Sequence, residues 1–323
     1  MSESPQKKPS VQTIHIDSGQ EGQRIDNFLL GFLKGVPRSY IYRIVRTGEV
    51  RVNKGRVKAS TRLQVGDSVR IPPVRVAEKP LQRKPDTRLL QRLETAVLYE
   101  DTRFLVLNKP SGLAVHGGSG IHYGVIEALR ILRPEQRQLE LVHRLDRDTS
   151  GCLLIAKRRS ALRTLHDLLR NNGVDKRYLA LLEGDWPQDR VEVDAPLQKN
   201  TLKSGERIVR VDPAGKPALT RFRLRQRFSD SMLVAVRLMT GRTHQIRVHA
   251  AHLGTPILGD QKYGDEAANR KMRSIGLRRL FLHAESVGFR WPGEDRDLIV
   301  RAPLDPELEL LMKRLEAGEG ATT

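Results

Sequence analysis

Apolar residues near the start of the chain recur with the spacing of one buried helical face. Ile25, Phe28, Leu29 and Phe32 fall at i, i+3, i+4 and i+7, and Gly35 with Pro37 ends the run. Pro37 suits the first turn of a second helix, whose inner stripe is Ile41, Ile44 and Val45 and whose stop is Gly48. Arg38, Arg43 and Arg46 then lie outside. The pattern next changes to a period of two: 49–53 alternates, Asn53-Lys54-Gly55 supplies a turn, and 63–71 gives a second extended pair about Gly66-Asp67. Residues 1–23 read as a polar mobile arm with a short strand over 11–16. Pro72, Pro73, Pro80 and Pro85, set among charges, predict a stiff linker over 77–92.

Beyond the linker the texture is α+β. Apolar runs at 104–107, 153–156, 178–182 and 232–238 predict strands. Ser160 is placed to cap a helix that turns Leu162, Leu165, Leu168 and Leu169 inward, and Thr243 to cap another running from Ile246 to Leu253. A terminal helix is predicted over 306–315, with a frayed tail over 316–323. The expected organisation is an arm (1–23), a small basic module (24–76), a linker (77–92), a large α+β domain (93–315) and the tail.

Charge changes this picture most. The 323 residues carry 57 Lys+Arg against 38 Asp+Glu, a formal net charge of +19. Between positions 24 and 76 there are twelve Lys/Arg and three Asp/Glu, so about half of the excess sits in about a sixth of the chain. Such a concentrated patch suits phosphate neutralisation with counterion release better than a membrane surface, which needs large apolar residues opposite the basic face. No stretch has the roughly 18 apolar residues of a membrane helix. The start, MSESPQKKPS, lacks the apolar run of a secretory signal, so the cytoplasm is expected. One cysteine, Cys152, excludes an internal disulfide and a cysteine-based metal site.

Several motifs drop out. GGSG at 117–120 is not followed by Gly-Lys-Ser/Thr and lacks dinucleotide spacing, so no nucleotide cofactor is expected. His244, His249 and His252 have no carboxylate at ligand spacing and read as packing residues, with no metal site. Ser111 and Ser150 each precede a glycine, but neither stands in a nucleophile elbow. What remains is LVHRLDRDTSG (141–151), a dense polar cluster between two apolar strands. A carboxylate held there beside arginines stays ionised, because opposite charge offsets its desolvation. A purely structural ion pair is the competing reading. The second cluster is GRTHQIRVH (241–249), a turn into a helix with Arg242 at its start and Arg247 further along. Arg242 is placed to reach a carboxylate, or a phosphate at the helix N-terminus. In Lys176-Arg177-Tyr178 the tyrosine suits either base stacking or the core.

Two resemblances bear on these residues. RIDNFL, SYIYRIVRTGEVRVNKGRVK and LQVGDSVRI resemble the S4 RNA-binding fold over about 50 residues. That implies docking on structured RNA through the second helix (Arg38, Arg43, Arg46) and the basic loop (Lys54, Arg56, Lys58). LNKPSGLAVH, HRLDRDTSG, KRYLALLEG, GRTHQIRVH and PILGDQKYG, in that order over about residues 95–312, resemble the RluA family of pseudouridine synthases. The family implies a catalytic domain on a mixed, mostly antiparallel sheet with flanking helices. It implies isomerisation of uridine with no cofactor and no metal. Carried over to this sequence, Asp146 is the essential aspartate and Arg242 the arginine that pairs with it. Tyr178 is the tyrosine on the target uracil, Arg144 the arginine that enters the gap left by the flipped base, and Leu282 the apolar lining of the uracil pocket. With GERIVRV and GVIEALR, the chain is most similar to members acting on large-subunit (23S) ribosomal RNA, free or in a precursor particle. A cytoplasmic monomer is expected. Transfer RNA or another ribosomal site, and a noncatalytic ribosome-assembly protein, are the alternatives.

Overall fold

The computed structural model describes residues 10–33, 35–74, 85–117, 123–136, 138–201 and 207–318. The first nine residues of the arm, the first half of the linker, most of GGSG and the end of the tail lie outside these residues. The chain divides into two compact units, Met1–Lys84 and Pro85–Thr323.

In the first unit, β1 (Gln12–His15) is followed by α1 (Ile25–Phe32), α2 (Arg38–Arg46), β2 (Arg51–Val52), β3 (Gly55–Arg56) and β4 (Ser68–Ile71). Ile25, Phe28 and Leu29 of α1 and Ile41, Ile44 and Val45 of α2 form one buried cluster with Val69 and Ile71 of β4. Phe32 departs from the expected stripe: it is 40% exposed and stacks on Phe28 from outside the core. Asn53 and Lys54 both adopt positive φ, which closes β2 onto β3 as a tight hairpin. The strand pair expected about Gly66-Asp67 does not form. β4 pairs instead with β1 and β2, so the N-terminal strand becomes part of the sheet. Arg38, Arg43, Arg46, Lys54, Arg56 and Lys58 are all exposed. Asp26, buried at the start of α1, accepts from Arg24 (2.6 Å) and from the Tyr42 hydroxyl (3.2 Å), which ties the two helices together.

The second unit opens with α3 (Thr87–Thr95), capped by Asp86, whose side chain accepts from the Arg88 N–H at 3.0 Å. Residues 87–92 therefore belong to a helix rather than to the expected linker; Leu93 is fully buried and draws the segment onto the domain. There follow β5 (Val97–Glu100), β6 (Phe104–Lys109), α4 (Val125–Leu132), β7 (Glu140–Leu141), β8 (Ser150–Ala156), α5 (Arg159–Arg170), β9 (Val174–Glu183), β10 (Arg190–Asp194), β11 (Leu197–Thr201), β12 (Arg207–Val211), β13 (Leu219–Arg227), β14 (Ser231–Leu238), α6 (Gln245–His252), α7 (Glu266–Ser274), β15 (Leu282–Arg290), β16 (Asp297–Arg301) and α8 (Pro306–Glu316). Ser160 does not cap α5. The helix begins one residue earlier, and Leu162 and Leu165 are buried as expected. Thr243 does not cap α6 either: His244 takes that place in a left-handed conformation, φ +53°.

Ten strands make one mixed sheet, with main path β10-β13-β14-β9-β15-β8-β6-β5. The pairings are antiparallel except that of β15 with β8. Every residue of β8 is buried, as a central strand flanked on both sides requires. The parallel contact sets His283 beside Ser150 and Ala284 beside Gly151. At Gly151, φ is +103° and a Cβ would meet the Ala284 carbonyl oxygen at 2.3 Å, so only glycine fits. This close approach brings the loop before β8 alongside Leu282 at the head of β15.

Candidate active site

The loop before β8, strand β9, the head of β15 and the start of α6 enclose a pocket of about 270 Å³. Arg144, Asp146, Tyr178, Arg242 and Leu282, which come from four separate stretches of sequence, all line it, together with His143, Lys176 and His244. The expected RNA-docking residues of the first unit belong to a different compact unit.

Asp146 is part-buried, its side chain 17% exposed, and its Oδ2 lies 3.5 Å from Arg247 Nη1. Arg242 does not make this pair. Its Nε donates to the Pro217 carbonyl at 3.0 Å, and its backbone N–H donates to Gln245 Oε1 at 2.9 Å. The reason is positional. Arg242 precedes the helix, in a turn pinned by Gln245, whereas Arg247 projects from a stretch of α6 that is buried from Gln245 through Ala250.

Arg247 is itself held from behind. Its Nε and Nη2 donate to the two carboxylate oxygens of the fully buried Asp260, each at 2.7 Å. Asp260 also accepts from the backbone N–H groups of Lys262 (2.9 Å) and Tyr263 (3.1 Å), and the Tyr263 ring lies under the guanidinium. Burial works to raise the pKa of Asp260, yet the fork and charge of Arg247 hold it below the usual carboxylate range. Burial likewise works against the Arg247 cation, but Asp260 and then Asp146 raise its pKa. Arg247 is thus a fixed positive charge, with one edge clamped and the other turned to Asp146.

His244 Nε2 stands 3.9 Å from Asp146, and its Nδ1 shares a 2.8 Å hydrogen bond with the Tyr263 hydroxyl. Burial lowers its pKa despite the neighbouring carboxylate. Of the histidines read as packing residues, His249 fills that role, with Nδ1 on Thr220 and Nε2 on the Ala195 carbonyl, while His244 faces the pocket. Tyr178, 6% exposed, lines the wall; burial and then the Asp146 charge raise its pKa, so the phenol stays protonated near neutral pH. Leu282, 3% exposed, contributes the apolar side, and Arg144 is exposed at the rim.

The loop that carries Asp146 is buttressed by Lys109. This fully buried lysine spends its three donors on the carbonyls of Pro110 (2.9 Å), Leu113 (2.8 Å) and Arg147 (2.9 Å). Burial, followed by the charge of Arg279, lowers its pKa to about 7. His143, two residues before Leu145, accepts the Leu154 N–H on Nε2 at 3.1 Å. Asp148 lies toward solvent, 3.2 Å from Arg147. Sequence reasoning missed Arg247, Asp260, Lys109 and His244 as parts of this site. Each stood in a quoted motif, but no periodicity shows that 247 and 260 face one another.

Residues 23–69 match the S4 domain, and residues 103–252 match the family described as RNA pseudouridylate synthase. The ribosomal large subunit pseudouridine synthase C of Pasteurella multocida is 56% identical over 95% of this chain and 94% of its own length. That of Escherichia coli K12 is 54% identical over 95% of this chain and 97% of its own. Among solved structures, human RNA pseudouridylate synthase domain containing 4 is 27% identical with a TM-score of 0.59, covering 71% of this chain and 96% of that one. The chain belongs to the RNA pseudouridine synthase family.

Proposed function

We propose that the protein isomerises uridines to pseudouridines in large-subunit ribosomal RNA, with Asp146 as the reacting carboxylate. The observation that carries this reading is the Asp146–Arg247–Asp260 array, a carboxylate faced by a clamped guanidinium in a small pocket whose other walls are Tyr178 and Leu282. In the reaction the C1′–N1 bond of uridine breaks, the uracil turns, and a C1′–C5 bond forms. C5 gives up a proton and N1 gains one, so atoms and charge balance without an external reactant. An ionised carboxylate serves such a sequence either as a nucleophile or as a base toward the sugar. Tyr178 stacks on the base, and because its phenol is protonated it relays the C5 proton only by giving up its own hydroxyl proton in the same step.

A uridine in folded RNA must leave its stack to reach this pocket, at a cost on the order of a few kcal/mol. Arg144, exposed at the rim, is suited to fill the vacated position. The exposed cations Arg38, Arg43, Arg46, Lys54, Arg56 and Lys58 give the S4 domain a phosphate-binding face. Relatives named for the ribosomal large subunit support that RNA as substrate. Among the described residues no helix is long and apolar enough to cross a membrane, and a monomer working in the cytoplasm completes the proposal.

The test is pseudouridine mapping on protein-free large-subunit ribosomal RNA and on bulk transfer RNA, each treated with wild type or Asp146→Asn and no added metal or nucleotide. New pseudouridines in the ribosomal RNA that require Asp146 are expected. Modification confined to transfer RNA overturns the substrate. An active Asp146→Asn overturns the role of the carboxylate.

A further inference from the structure

A second groove of about 430 Å³ adjoins the pocket, and the two share Lys176, Leu238, Gly241 and Arg242. Lys176 is half-buried on the same face of β9 as Tyr178, two residues along. Its Nζ lies 3.8 Å from where a Cβ on Gly241 would stand, so bare backbone adjoins the ammonium. The carboxylate that lines this groove, Asp175, is already taken by Arg177 (2.8 Å) and Arg237 (2.6 Å). Among the described residues the Lys176 ammonium has neither a hydrogen bond nor an ion pair. Burial lowers its pKa, as expected of a cation without a counter-ion, and its charge is felt by His143 across the pocket. Arg242, on the other side of Gly241, spends Nε on a carbonyl and is likewise without a carboxylate.

Two unneutralised cations thus flank one stretch of bare backbone at the junction of the two cavities. A half-buried ammonium with no anion is costly on its own and favourable once an anion arrives. We infer that Lys176, assisted by Arg242, binds the phosphodiester next to the uridine held in the Asp146 pocket, and that the substrate strand leaves the pocket along this groove. This rests on the proposed function, since it takes the occupant of the pocket to be a nucleotide of an RNA strand. It gives Lys176 a ground-state binding role and leaves the chemistry to Asp146.

The experiment has two parts. Wild type, Lys176→Met and Lys176→Arg are compared on protein-free large-subunit ribosomal RNA for kcat, KM and the dependence of kcat/KM on salt, with thermal melts to confirm folding. Lys176→Met is expected to raise KM about tenfold with kcat within about twofold, and to flatten the salt slope by about 0.7 to 0.9, the loss of one phosphate contact. Lys176→Arg is expected to restore the slope. Short RNAs spanning a mapped site then carry one neutral methylphosphonate on either side of the target uridine. At one of the two positions wild type should lose about tenfold in KM and Lys176→Met should lose nothing further.

An unchanged salt slope in Lys176→Met, a loss confined to kcat, or indifference of wild type to both methylphosphonates overturns the subsite. The last comparison needs no variant, so it stands even where Lys176→Met fails to fold. A wild type that modifies no RNA defeats the proposed function instead, and the two failures are thereby told apart.

Discussion

Asp260 grips Arg247 through two hydrogen bonds of 2.7 Å, and so decides where the positive charge that faces Asp146 stands. An arginine held at one point swings. Held along one edge by a planar fork, its remaining nitrogen has a fixed position. The buried pair therefore serves the carboxylate 3.5 Å beyond it as much as it serves the fold.

The two arginines of GRTHQIR consequently separate by function. Arg247→Lys loses the fork, and with it the fixed charge opposite Asp146, so kcat is expected to fall by about a hundredfold or more. Lysine keeps a cation beside Asp260 but loses one of the two charged hydrogen bonds, so stability is also expected to fall by about 1 to 3 kcal/mol, which a urea melt will register. Arg242→Gln, by contrast, is expected to raise KM with little change in kcat or melting. Equal kcat losses in the two variants would return Arg242 to the role the sequence suggested for it.

Gly151→Ala tests the close approach of β8 and β15. With φ at +103° and a Cβ directed at the Ala284 carbonyl, neither strand can yield without breaking the parallel pairing. A loss of about 3 kcal/mol or more in denaturant melts is expected, with activity falling as the Asp146 loop and Leu282 part. A variant within about 1 kcal/mol of wild type would show that the contact is not rigid.

His143 supplies a pH dependence. Burial and then the Lys176 charge push its pKa down to about 4 from an ordinary 6.5, and its Nε2 already accepts a backbone N–H. As pH falls below 6.5 the unfolded chain takes up the proton first. The stability this group contributes is therefore complete above pH 6.5 and is lost as pH falls toward 4, on the order of 3 kcal/mol in all. His143→Gln should show a shallower fall of unfolding free energy over that window. Parallel curves for the two proteins would remove His143 from the account.

Deleting residues 1–84 removes one compact unit and leaves the other, which has its own core, so the remainder should fold. Its affinity for ribosomal RNA should drop and log Kd should vary less steeply with log salt, because the densest cationic stretch is gone. Undiminished binding with an unchanged slope would show that the S4 domain is not the docking surface.

Much of this was legible in the chain itself. The helices of the first unit and the buried strands followed from local periodicity, which reflects what neighbouring residues must bury or leave exposed, whereas the pocket residues Arg144, Asp146, Tyr178 and Leu282 were singled out by the resemblance of ordered motifs to a known family. The helix starts were less legible. Ser160 and Thr243 had capping chemistry, but α5 began one residue before Ser160, and His244 took a left-handed turn to meet Tyr263. The linker shortened because Leu93 had a core to enter. Which arginine reaches Asp146 was decided only in three dimensions. The motif supplies two candidates five residues apart, and the choice depends on the side of α6 that faces Asp260, a residue of a later loop. An unneutralised Lys176 was equally hidden, since its isolation follows from Asp175 being claimed by Arg177 beside it and Arg237 from a neighbouring strand. Sequence determines which charges are present; the fold determines which of them meet and which are left to seek an anion elsewhere.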